Sequence, residues 1–473
     1  MTIGNIAAAV RAKPSNQALV LLGLLPAIPK APDLSAADER QYKSQKASII
    51  HEAIGTILKP LQAAGRDGVD ICCPDMKTRR CHPILAAWLA DHLEYVKLFN
   101  LMPASCPVCE VPAKSLGTGN SPSYAERDYS SYQASWLRSK DTKCSTTEKG
   151  RIEAELTSKG VKLTPNALCS LPHVLPVRLH TLDLLHGVYL GLLKHLMEWI
   201  EPFLKKHSRL QLFDTVWKSL QPYPGFTQPR KAYREVSQWQ GKEMRNFGRV
   251  ILLALAAALS TPRHAERRPF ATALQCTRAL VDFHLMAQYR SHTTTTIGYM
   301  EAYLADFHRT KDVFLEFRAS KKVIAQSSQA VQQLRDTQQQ ENNGSALLTP
   351  AKRRRVAAQE KDERATVRDE ALREGAHFNF IKMHLLSHYQ THVERLGAVP
   401  SYSTEMGEIA HKTVMKDTYK STNRQGYEPQ MIRAHHRVSV MKTRILNLTQ
   451  LVQDGHGTKD VIDALGLQSD SGK

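Results

Sequence analysis

Apolar positions recur at helical spacing over most of this chain and in short runs only near its start. Ile49, Ile50, Ile54, Ile57 and Leu58 fall on one stripe of KSQKASIIHEAIGTILKPLQAAG, Lys43–Gly65, which predicts an amphipathic helix stopped by Gly65. GVDICC, Gly68–Cys73, reads as a strand, and PDMKTRRC as the polar turn after it. HPILAAWLADHLE, His82–Glu94, reads as a buried strand that ends at Asp91. Ser115–Leu171 is polar and Ser-rich, a loop with one or two helices. From Leu175 to Arg318 the pattern is long, apolar and helical, with RNFGRVILLALAAALS and TALQCTRALVDFHLMAQYRSH as core helices.

Three departures from a plain helical pattern stand out. TLDLLHGVYLGLLKHLMEWI, Thr181–Ile200, is almost wholly apolar, yet carries Asp183 and His186 one turn apart. The pair reads either as a helix start, with Thr181 or Asp183 capping, or as part of a metal or catalytic site. Ala319–Arg373 is Gln-rich, charged and poor in aromatics, so it reads as a disordered or loosely helical linker. Within it, PAKRRRV presents Lys352, Arg353, Arg354 and Arg355 as a nuclear localisation signal for an import receptor. In HFNFIKMHLLSHYQTHVERLG, His384, His388 and His392 share one helical face. No nearby acid or cysteine completes a ligand set, so the stripe reads as a polar, partly buried face. Beyond it, Glu405, Glu408 and His411 recur every three residues on a further helix that Ser401 or Ser403 would cap.

Charge narrows the partner. Lys and Arg number 64 against 45 Asp and Glu, a net charge of +19 over 473 residues, which favours an anionic partner such as nucleic acid. The segment after Glu408 is basic with interleaved aromatics, and Lys412, Lys416, Lys420 and Arg424 suit a phosphate backbone. The longest apolar runs, Ala18–Ile28 and Val250–Leu259, are too short to span a bilayer, so no membrane role is expected. Lys13 and Pro14 interrupt anything resembling a signal peptide. Eight cysteines lack framework spacing, and only Cys106 and Cys109, in SCPVCE, form a CxxC. That is half of a zinc site or redox pair, or two thiols in a turn.

The order of motifs is more specific than any one of them. It runs TIGNI, RAKPS, RRCHPILAAWLADHLE, CPVC, LDLLHGVYLGLLKHLMEWI, WQGKEMRNF, RALVDFHLMAQYRSHT, LADFHRTKDVF, HFNFIKMHLLSHY and YSTEMGEIAHK. This order resembles the Plavaka-type transposases of fungal genomes, related to the CACTA (EnSpm) superfamily. The resemblance implies an α+β, mostly helical protein: a partial RNase H-like core interrupted by a large helical insertion. It implies residues 1–112 as partial core, 113–318 as loop and insertion, 319–373 as linker, 374–450 as the return to the core, and 451–473 as a tail.

It also implies two divalent cations, Mg²⁺ or Mn²⁺, held by three acids for cleavage and strand transfer of DNA. Asp91 matches the second acid. Glu408 is the choice for the last, with Glu405 one turn away as the alternative and Asp183 a further candidate. Asp183 and His186 match a DxxH motif of several transposase superfamilies, expected to order the insertion, with Zn²⁺ shared with Cys106 and Cys109 and His180 nearby. In relatives the first acid lies upstream of TIGNI, which here begins at Thr2, so the catalytic set is expected to be incomplete. The expectation is a nuclear, transposase-derived DNA-binding protein, inactive alone, partnered by DNA, by a second copy or by a full-length relative. The alternative is a non-catalytic DNA-binding or zinc-stabilised helical scaffold in the nucleus.

Overall fold

The computed structural model describes residues 1–13, 16, 18–29, 35–73, 75–119, 124–226, 231–236, 238–317 and 378–453. Two compact units emerge from the backbone contacts. The smaller takes residues 1–34, 52–60 and 405–473, and the larger takes 35–51 and 61–404.

The chain opens with α1 (Ala8–Arg11) and α2 (Ala36–Asp67), followed by a hairpin of β1 (Val69–Cys72) and β2 (Thr78–Cys81). The helix α3 (His92–Leu98) precedes α4 (Tyr129–Lys140) and α5 (Thr146–Ser158). A π-helix, Leu184–Leu193, runs into α6 (Lys194–Lys206). Then come α7 (Leu210–Ser219), α8 (Gly241–Ala258), α9 (Arg267–Met286) and α10 (Thr294–Thr310). The stretch read as a linker, 319–373, lies outside the described residues; beyond it, α11 (Ile381–Leu385) and α12 (Tyr389–Leu396) close the larger unit. The smaller unit holds α13 (Glu405–His411), α14 (Thr418–Lys420) and α15 (Tyr427–Gln453).

The mostly helical expectation holds, and among the described residues the β1–β2 hairpin is the only sheet. Its strands pair antiparallel with Val69 opposite Cys81 and Cys72 opposite Thr78. The expected strand at GVDICC forms, but its partner lies inside the stretch read as a polar turn. Both strands are largely exposed, so the hairpin is an appendage rather than a core layer.

Two further expectations are corrected. Gly65 does not stop α2, which continues to Asp67 and is terminated by Gly68 at φ 77°. Gly65 serves close packing instead, because a Cβ there would lie 2.8 Å from Pro172 and 3.0 Å from the Pro83 carbonyl. Residues 82–91 form no strand either. Pro83 has no N–H to give, and the Trp88 N–H bonds the Leu179 carbonyl at 2.9 Å rather than joining a ladder. Asp91 then caps α3, its side chain accepting from the Glu94 N–H at 2.7 Å.

The core of the larger unit is the apolar helix set read from Leu175 onward. Trp199, Phe203, Phe213, Trp217, Phe247 and Phe270 are all but fully buried in one cluster that also takes in Met383, Tyr389 and Tyr402. Rings meet edge to face, as in Phe203 with Phe270 and Phe283 with Tyr389, the arrangement their quadrupoles favour. Residues 378–402 thus share one core with the helices read from Leu175 onward.

Candidate metal centre

Cys106 and Cys109 sit on a turn after α3, and both are buried. The histidine stripe on α11 and the short 3₁₀ turn Leu386–His388 faces them. Cys106 Sγ lies 3.3 Å from His388 Nε2, and Cys109 Sγ lies 3.1 Å from His384 Nε2 and 3.7 Å from His388 Nε2. The two Nε2 atoms are 3.2 Å apart. All four ligand atoms fall within 4.8 Å of one another. Zinc–sulfur bonds of about 2.3 Å and zinc–nitrogen bonds of about 2.0–2.1 Å give tetrahedral edges of roughly 3.3–3.8 Å. The observed spacings are close to that range, so the residues fit a closed Cys₂His₂ zinc centre.

The chemistry of the donors agrees. Beside Cys106, and facing His384 and His388, the Cys109 thiol is held far below its ordinary range. Burial, followed by Cys109, pushes the Cys106 thiol well above it. A metal ion takes both cysteines as thiolates and displaces their protons. The Val108 N–H also points at Cys106 Sγ, 3.3 Å away.

Sequence reasoning saw both halves of this centre without joining them. The stripe was read as a polar face because no cysteine stood near it in sequence, yet Cys109 and His384 are 275 positions apart. The usable signal was the spacing itself, CxxC with HxxxH, which matches tetrahedral zinc sites.

Asp183 and His186, expected with the cysteines, have a different setting. Asp183 Oδ1 accepts from the Leu185 N–H at 2.9 Å and from Thr404 Oγ1 at 2.6 Å. Its Oδ2 accepts from the His186 N–H at 3.0 Å and faces His186 Nδ1 at 2.6 Å. The pair caps the π-helix and ties it to the end of the 378–404 segment. His180 faces His392 instead, Nδ1 to Nε2 at 3.1 Å. Burial drives both rings below their ordinary range, His392 to about 3, so the contact joins two neutral imidazoles.

Asp91, His92, Asp183, His186, Lys382 and Tyr389 line one cavity of about 430 Å³. Burial lowers the Lys382 ammonium while Asp183 and Asp91 pull it back up. Ile381, Lys382, Leu385 and Leu386, on the segment that also carries His384 and His388, supply part of the wall of this cavity. Asp91 Oδ1 caps α3, both Asp183 oxygens accept contacts at the π-helix start, and the two acids line this cavity together. Glu405 and Glu408 belong to the smaller unit, on α13. In that unit Lys412, Lys416, Lys420 and Arg424 are all exposed. The basic cluster Lys352–Arg355 lies outside the described residues. No described helix is long and apolar enough to cross a membrane.

One glycine bears directly on the centre. Gly160 follows α5 at φ 71°, and a Cβ there would lie 2.1 Å from Ser105 Oγ, next to Cys106. Gly160→Ala should destabilise the protein by about 1–3 kcal/mol through strain and clash, read as a lowered urea midpoint at unchanged m.

The chain is mostly helical, with a Cys₂His₂ cluster in the larger unit and exposed basic residues in the smaller. Among known families, residues 1–200 match the family model of the Plavaka transposase. That span contains Asp91, both cysteines and the Asp183–His186 pair, while the two metal-facing histidines lie beyond it. No curated protein matches the chain.

Proposed function

We propose that this chain is a transposase-derived DNA-binding protein that works in the nucleus and does not cleave DNA alone. The observation that carries the reading is the transposase match over residues 1–200, on a chain of net charge +19. Exposed basic residues of the smaller unit supply the contact surface: Lys412, Lys416, Lys420 and Arg424, with Arg433, Arg437, Lys442 and Arg444 along α15. Residues 405–453 carry eight Lys and Arg against four Asp and Glu, so the surface attracts phosphate regardless of base sequence.

The family's two-cation chemistry would call on Asp91 with Glu408 or Glu405 in an RNase H-like core. Binding without cleavage by this chain alone is the reading proposed. A second copy or a full-length relative would supply what cleavage needs, and the import receptor would read Lys352–Arg355.

The test is a titration of duplex DNA at several salt concentrations. Four phosphate contacts predict a roughly 100-fold loss of affinity between about 50 and 200 mM salt. Replacing Lys412, Lys416, Lys420 and Arg424 together with Ala should flatten the salt slope by about four units. Weak, salt-independent association would sink the reading. The Cys₂His₂ centre then favours the second one, a zinc-stabilised helical scaffold.

A further inference from the structure

The turn Cys106–Cys109 does not hold its own shape. A strand-like segment, residues 125–127, runs antiparallel beside it. The Glu110 N–H bonds the Ala125 carbonyl at 3.0 Å, and the Arg127 N–H bonds the Val108 carbonyl at 2.9 Å. Cys109 lies in an antiparallel bridge with Glu126. The Tyr129 hydroxyl donates to the Pro107 carbonyl at 2.7 Å. Arg127 Nε donates to the Cys106 carbonyl at 2.5 Å, and its Nη1 to the Lys159 carbonyl at 2.7 Å. Each carbonyl that precedes Cys109 in the turn is therefore taken by Arg127 or Tyr129.

Arg127 is an unusual residue to spend here. It is 3% exposed, and no carboxylate forms an ion pair with it among the described residues. A buried cation is costly unless its donors are satisfied and compensating charge is near. Its donors go to two carbonyls on separate segments, which the rigid, forked guanidinium can reach together and a lysine ammonium cannot.

We propose that Arg127 is the positioning residue of the metal centre. Its guanidinium fixes the Cys106–Cys109 turn against the Lys159 turn, so that both sulfurs meet His384 and His388 at tetrahedral spacing. Tyr129 supports it from the next carbonyl. The proposal rests on the metal reading of the four ligands. Outer partners that orient metal ligands typically contribute 10- to 100-fold in affinity.

The experiment uses the full chain, loaded with Zn²⁺ or with Co²⁺ as a spectroscopic probe. Zinc affinity is read by chelator competition, and site geometry from the visible ligand-field bands of the cobalt form. Arg127→Gln should bind zinc about 10–100-fold more weakly and shift the cobalt bands, with little change in the stability of the metal-free protein. Arg127→Lys keeps the charge without the fork and should recover only part of the affinity. Tyr129→Phe, which removes a single hydroxyl, should fold and give a smaller loss of the same kind, so the proposal stays testable if Arg127→Gln does not fold.

Wild-type affinity and unshifted bands in Arg127→Gln would overturn the proposal and leave the metal centre standing. So would complete rescue by Arg127→Lys, or equal destabilisation of metal-free and metal-loaded protein by Arg127→Gln. Where Arg127→Gln does not fold, unchanged zinc affinity in Tyr129→Phe would overturn it as well. A wild-type chain that takes up neither metal would overturn the metal reading and the proposal together.

Discussion

Protein purified without chelator should carry about one zinc per chain, and His384→Ala combined with His388→Ala should carry none. The effect on stability should be large. A structural zinc contributes about 10–16 kcal/mol of apparent binding free energy in small zinc domains. Net stabilities of ordinary domains are only about 5–15 kcal/mol. Here the ligands join the Cys106–Cys109 turn to α11, across a sequence gap of 275 positions, so losing the metal releases a long closure. The large apolar core will keep part of the fold, because Met383, Leu386 and Tyr389 pack into it beside the ligands. Even about 4 kcal/mol of lost linkage lowers Tm by roughly 5–10 °C. Metal analysis and thermal unfolding with and without chelator check this. A metal-free preparation with the wild-type Tm would remove zinc from the account.

Asp183→Ala should be the most damaging single substitution outside the apolar core. It removes the acceptor for two buried backbone N–H groups at the start of the π-helix, for Thr404 Oγ1 and for His186. Loss of a cap costs about 1–2 kcal/mol, and unpairing groups from a charged acceptor adds about 1–2 more. The expected total is about 2–4 kcal/mol. Asp183→Asn should cost roughly half of that, since Asn caps about as well as Asp but carries no charge for His186. Zinc content should be unchanged in both, which separates a structural anchor from a ligand. Wild-type stability with lost zinc would return Asp183 to the metal centre.

The question posed by an acid and an imidazole at the head of an apolar helix thus has a local answer. D-x-x-H placed the acid at an N-cap, and the same cap logic was legible in Asp91 with Glu94, though the apolar run before it suggested a strand. The competing signal there was composition without pairing. A strand exists only where a neighbour accepts its hydrogen bonds, and residues 82–91 have one such bond, from Trp88 to Leu179. Gly65 misled for a related reason, since a glycine can end a helix or admit a close neighbour, and only Pro83 and Pro172 reveal which.

The sequence by itself determined the helical character from Leu175 onward, one or two helices within the Ser-rich stretch, the basic character of the residues after Glu408 and the order of motifs that resembles a transposase family. Those properties depend on near neighbours in sequence, whose spacing sets which face is apolar and where charge accumulates. Tertiary structure alone decided that the cysteine turn meets the histidine stripe, that Asp183 reaches Thr404, and that a buried arginine grips the turn. Each of these joins segments whose separation leaves no periodic trace. A metal ligand set or a buried hydrogen bond is defined by distance in space, to within a few tenths of an ångström, and sequence spacing constrains that distance only within one element.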